Sequence, residues 1–79
     1  MKYIRTELIG VVIFSRIRKH DEMARRMMST NDKIISAGFV RYDRFLKDSE
    51  KVMVFGESVS LGVGVAEDDQ DLIRMLLDQ

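Results

Sequence analysis

Lys2-Tyr3-Ile4-Arg5-Thr6-Glu7-Leu8-Ile9-Gly10-Val11-Val12-Ile13-Phe14 is the stretch whose reading decides the fold. In an extended chain Ile9, Val11 and Ile13 point one way, and Ile4, Leu8, Val12 and Phe14 point the other. A strand apolar on both sides belongs inside a sheet with both faces covered. The alternation of Val11, Ile13, Ser15 and Ile17 allows this strand to run on to Ile17. Its apolar core, Leu8 to Phe14, is far shorter than the roughly 20 residues of a membrane span. Ser15-Arg16-Ile17-Arg18-Lys19 follows it, which is no signal-peptide cleavage site. The expectation is therefore a buried strand, no membrane association and a cytoplasmic location.

Beyond this strand, Asp21 is placed to cap a helix of about ten residues, Glu22-Met23-Ala24-Arg25-Arg26-Met27-Met28. Met23 with Met27 and Ala24 with Met28 form its apolar stripe. A rival reading starts this helix at Ser15, with His20 close to the buried side. Ser29-Thr30-Asn31-Asp32 ends it. Ile34 to Tyr42 reads as a second strand, and Asp43 to Glu50 as a polar loop.

Lys51 to Val65 is long for one strand, and simple alternation sets Glu57 among Met53, Phe55, Val59 and Leu61. Either a type II′ turn at Gly56-Glu57 or a bulge there removes the conflict. Both put Val52, Val54, Val59 and Leu61 on one face and expose Glu57. Ala66-Glu67-Asp68-Asp69-Gln70-Asp71 then leads into a last helix with acidic residues in its first turn, where the helix dipole favours them. Its stripe is Leu72, Met75 and Leu76, widened by Ile73 and Leu77.

The order is β-α-β-β-(β)-α. The expected fold class is α+β: a two-layer sandwich, with two helices on a small mixed or antiparallel sheet, in one domain over residues 1–79. Two short helices on one face leave the other face of the first strand uncovered. A second protomer is the expected cover, as a two-fold homodimer.

Composition narrows the chemistry. The chain has 79 residues with 13 Lys+Arg, 13 Asp+Glu and 46% hydrophobic residues, which excludes disorder. It has no Cys and one His, which excludes disulfide scaffolds, iron–sulfur clusters, Cys nucleophiles and ordinary zinc sites. Gly62-Val63-Gly64 before a helix looks superficially like a phosphate loop, but the third glycine is missing and Glu67, Asp68, Asp69 and Asp71 would repel a pyrophosphate. Those carboxylates also lack the turn glycine and distal Glu of a calcium loop, so capping explains them. Ser58, Ser60, Gly62 and Gly64 alternate as a small-residue face that permits close packing.

His20 adjoins Asp21, but sequence neighbours do not face each other, and nothing fixes a nucleophile such as Ser58 or Ser60 against it. It reads as a surface or cap-adjacent histidine. Residues 1–40 hold eight Lys/Arg against four Asp/Glu, and residues 41–79 hold five against nine. The densest basic stretch is Arg16, Arg18, Lys19, Arg25 and Arg26. It has no nucleic-acid-binding motif beside it, and reads first as a solvated face. Six Met suit an irregular core or an adaptable surface.

The resulting expectation is a small non-catalytic binding or regulatory module, without cofactor or metal, that self-associates and meets an unidentified protein partner. Its candidate interaction residues are Arg16, Arg18, Lys19, Arg25, Arg26, Ser58 and Ser60. The alternatives are a nucleic-acid-binding regulator using the Arg16–Arg26 cluster and a small-molecule sensor with a site near Gly56-Glu57-Ser58.

Overall fold

A computed structural model describes residues 1–47 and 49–78. Of the polar loop expected over 43–50, Asp48 lies outside the described residues. The fold is α+β, with strands β1 (Lys2–Thr6), β2 (Gly10–Phe14), β3 (Ile34–Tyr42), β4 (Val52–Phe55), β5 (Glu57–Ser58) and β6 (Val63–Gly64), and helices α1 (His20–Met27) and α2 (Asp69–Leu77). The main sheet has the order β2-β1-β3-β4, each neighbouring pair antiparallel, and β5 pairs with β6 in a separate ribbon. Among the described residues no helix is long and apolar enough to cross a membrane.

The single strand expected from Lys2 to Phe14 is a hairpin. Thr6 Oγ1 accepts the Ile9 N–H at 3.0 Å, Asp32 Oδ1 accepts the Leu8 N–H at 2.9 Å, and Gly10 takes a φ of 90°. A three-residue turn closed by a positive-φ glycine reverses the chain here, and apolar Leu8 and Ile9 lie exposed in that turn. The strand ends at Phe14, and Ile17 is exposed in the next turn.

The expectation that both sheet faces are covered is met within one chain. Adjacent β1 residues point to opposite faces. Tyr3 packs with Val40, Val52 and Ile73 of α2, whereas Ile4 packs with Phe14, Ala37 and Ala24 of α1. One helix therefore lies on each face, giving three layers in place of the two expected. This removes the argument that a second protomer is needed to cover the sheet.

The helix α1 begins at His20, with Lys19 at the N-cap position. Asp21 does not cap it as expected; among backbone amides its carboxylate accepts the Glu22 N–H, at 3.0 Å, and its other oxygen meets Arg25 at 3.5 Å. The start at Ser15 is also excluded, because residues 15–19 form a turn. In α2 the buried positions are Asp69 and Ile73, one helical turn apart, with Leu77 packed below them. The expected stripe of Leu72, Met75 and Leu76 is not the buried one: Met75 and Leu76 are exposed.

Neither repair foreseen at Gly56-Glu57 occurs. β4 pairs with β3 from Phe39↔Phe55 to Tyr42↔Val52. Gly56, with φ 76°, then turns the chain out of the sheet into the β5-β6 ribbon. The ribbon packs on the part of β3 that the short β4 leaves free. The four valine and leucine positions expected on one face are split. Val52 and Val54 join the α2 side, Leu61 the α1 side, and Val59 is exposed. Glu57 is exposed, as both repairs required.

Candidate functional site

The five basic residues singled out in the sequence form two groups. Arg16, Arg18 and Lys19 are exposed in the turn between β2 and α1. Arg25 and Arg26 are exposed on α1, and Arg25 is weakly paired with Asp21 at 3.5 Å. Ser58 is buried, and its Oγ accepts the Leu61 N–H at 3.3 Å, which holds the turn into β6. Ser60 is exposed in that turn. The small residues at 58, 60, 62 and 64 therefore do not share a strand face.

Folding nonetheless brings Lys19, Ser58 and Ser60 together. They line an open cleft of about 390 Å³ with Lys2, His20 and Phe39, and Glu57 and Asp21 stand at it too. His20 directly follows the N-cap Lys19, as the cap-adjacent reading expects, but it is only 5% exposed and not a surface residue. Its Nε2 donates to the Gly38 carbonyl at 2.9 Å, which fixes that nitrogen as the protonated one. With Nε2 on a carbonyl and Ser58 Oγ on a backbone amide, both side chains serve the fold at these atoms.

An aromatic row leads outward from His20. Phe14 and Phe39 each meet its ring edge-on, at 5.5 and 5.6 Å between centroids. Phe39 stacks on Phe55 at 5.8 Å with an interplanar angle of 22°. Phe55 is 47% exposed. The register explains the row, because Lys2, Phe39 and Phe55 lie opposite one another across β1, β3 and β4. Arg41 and Met53 form the next pair on the same face, and both are exposed. The α1 helix packs toward β1 and leaves this half of the face open. Lys2 Nζ lies 6.0 Å from the Phe39 centroid and donates to the Arg18 carbonyl at 2.8 Å. Among the described residues no carboxylate pairs with Lys2, Lys19 or Arg41. The sequence carried a signal for this row in Phe39 and Phe55, but the pairing of their strands was not legible.

On the opposite face the carboxylates before α2 have a structural task. Asp69 is fully buried. It accepts the Tyr3 hydroxyl and, at 2.9 Å, the Ala66 N–H through Oδ2. Arg5 Nη1 donates to its Oδ1 at 3.0 Å and to Asp68 at 2.7 Å. Burial alone would raise the Asp69 carboxyl, but these donors outweigh it and hold the group below the usual carboxylate range. Tyr3 is pushed upward, first by burial and then by the Asp69 carboxylate. Among the described residues no group of acidic and histidine side chains is arranged to hold a metal.

A third surface lies beside β2. Ile9, Val11, Leu72, Met75 and Leu76 line most of an open groove of about 470 Å³ between this edge strand and α2, with Arg5 and Glu7 at its end. Met75 is 64% exposed there. The chain matches no family model, no curated protein and no solved structure with which it was compared.

Proposed function

We propose that this chain is a non-catalytic binding module whose first partner is a second copy of itself, joined edge to edge through β2. One observation carries the reading: β2 is an edge strand of five apolar or glycine residues, Gly10 to Phe14, beside an apolar groove. Unpaired apolar edges template further pairing, and monomeric folds blunt them with charges, proline or a covering side chain. The other edge follows that rule, since Gln70 Oε1 accepts the Val54 N–H of β4 at 3.2 Å. Among the described residues no side chain or loop makes a hydrogen bond to β2 in this way.

The strand is self-complementary. A two-fold axis at Val12 and perpendicular to the sheet sets Val11 opposite Ile13 and Gly10 opposite Phe14. It keeps both α2 helices, and the two grooves lined by Met75 and Leu76, on one side of the sheet. A standard interface buries about 800 Å² per partner, a modest share of the 5460 Å² accessible surface. The cytoplasm is the proposed location, on the ground that the apolar run is followed by charge and folds as the turn and second strand of a hairpin.

Sedimentation velocity over a concentration series tests the reading. A species of twice the 9.2 kDa protomer mass is expected to build up with concentration. Met75→Glu and Val12→Lys, which place charge in the groove and on the edge, are expected to return it to the protomer. A protomer mass at every concentration overturns self-association.

A further inference from the structure

We infer that the open half of the sheet face bearing Phe39 and Phe55 binds single-stranded nucleic acid, independently of the β2 edge. Three features of this face carry the inference.

First, the ring pair is built for stacking from outside. Phe55 is half exposed, and its inner face already rests on Phe39, which His20 buttresses edge-on. A preformed, supported aromatic face accepts a base at little ordering cost, and every base has such a face to offer. A buried core pair would leave no ring surface outside, and an isolated surface phenylalanine would have no such support.

Second, cations stand on both sides of the rings. Lys2 and Lys19 lie toward β1 and the cleft, and Arg41 lies one pair along β3. Arg16 and Arg18 extend the positive side in the adjoining turn. Cations flanking a stacking platform on two sides suit successive phosphates of a strand more than the single phosphate of a free nucleotide. Duplex nucleic acid keeps its bases stacked inside and has none to offer the rings.

Third, the zero net charge does not oppose this. The acidic start of α2 lies on the other face of the sheet, tied to Arg5. The carboxylates at the cleft itself are Glu57 and Asp21. Of the earlier basic candidates, Arg25 and Arg26 on α1 lie outside the cleft lining, whereas Lys19 belongs to it.

Fluorescence anisotropy with a labelled single-stranded 10-mer of uniform pyrimidine sequence, at low salt, tests the inference. Binding is expected, with a slope of log K against log salt near −2, as about three phosphate contacts give at roughly −0.7 each. Phe55→Ala is expected to weaken it between about 5-fold and about 150-fold, the range for losing one stacked base. Phe55→Trp should retain it. Arg41→Glu, an exposed change that leaves the rings in place, should weaken it, and Glu57→Gln should tighten it. Circular dichroism of each variant verifies the fold. A duplex of the same length and a nucleoside monophosphate are expected to compete at least about tenfold more weakly. No binding at low salt, equal competition by the duplex or by the mononucleotide, or unchanged affinity in both folded Phe55→Ala and Arg41→Glu would each overturn the inference.

Discussion

Asp69 shows how one side chain fixes the placement of a helix. It sits at the first position of α2 and is fully buried, where an unpaired carboxylate would be costly. Tyr3, Arg5 and the Ala66 amide supply its donors, so α2 can dock only with this residue facing β1. Ile73 and Leu77 follow at one and two turns and enter the core behind it. Without Asp69 the buried Tyr3 hydroxyl loses its acceptor, which costs about 1–3 kcal/mol, a sizeable fraction of the stability of a small domain. Asp69→Ala is therefore expected to lose about 2 kcal/mol in urea unfolding. The pH dependence has a definite sign. A carboxyl held lower in the folded than in the unfolded chain contributes fully above the unfolded value of about 4, and its contribution is lost as pH falls through the folded value. The loss of stability on going from pH 6 to pH 3 should thus be smaller in Asp69→Asn than in the native chain. Equal losses in the two proteins would remove Asp69 from the acid limb.

At the scale of elements, local signals identified the type of most segments and missed their partners. β3 occupies Ile34 to Tyr42, as its apolar run and flanking polar residues indicate. Periodicity also located both helices, but it ranked the apolar stripe of α2 by hydrophobicity alone, and Asp69 turned a different side inward. The Lys2–Phe14 segment failed for a related reason. Its alternation continues through the exposed Leu8 and Ile9, and the turn depends on Thr6, Gly10 and the distant Asp32. In the candidate site, Lys19, Ser58 and Ser60 carry only separate signals in the sequence, because their meeting depends on where Gly56 directs the ribbon. That glycine yields a test. An added Cβ at Gly56 would meet the Phe39 ring at 2.8 Å, whereas at Gly62, with φ 70°, it would meet nothing within 4 Å. Both substitutions carry the left-handed backbone cost of about 1–2 kcal/mol. Gly56→Ala must also displace the ring, so it should be the more destabilising of the two in thermal unfolding. It should also weaken the Phe39–Phe55 platform. Equal losses, or a larger loss for Gly62→Ala, would show that contact with the Phe39 ring does not set the cost at Gly56.

For the whole molecule, the two proposed surfaces combine in a way neither predicts alone. Edge pairing through β2 about an axis perpendicular to the sheet keeps the two α1 faces on the same side. The outer strands of the resulting eight-stranded sheet are the two copies of β4, separated by seven strand spacings, or about 34 Å. Each carries a Phe55 row, so a dimer presents two stacking platforms to one side, both flanked by cations. A strand too short to bridge them sees one site, and a strand that bridges them gains from effective concentration, with no new contact. A single-stranded 30-mer should therefore bind the native protein at least about tenfold more tightly than a 5-mer, which is too short to span both platforms, beyond the statistical gain from extra registers. Met75→Glu acts in the groove on the opposite face, so it should leave 5-mer affinity unchanged while abolishing the extra gain. Phe55→Ala should do the reverse, lowering affinity for both lengths while the sedimenting species stays dimeric. An undiminished length advantage in monomeric Met75→Glu would show that the two surfaces do not cooperate through this dimer, because a single platform would then account for the whole effect.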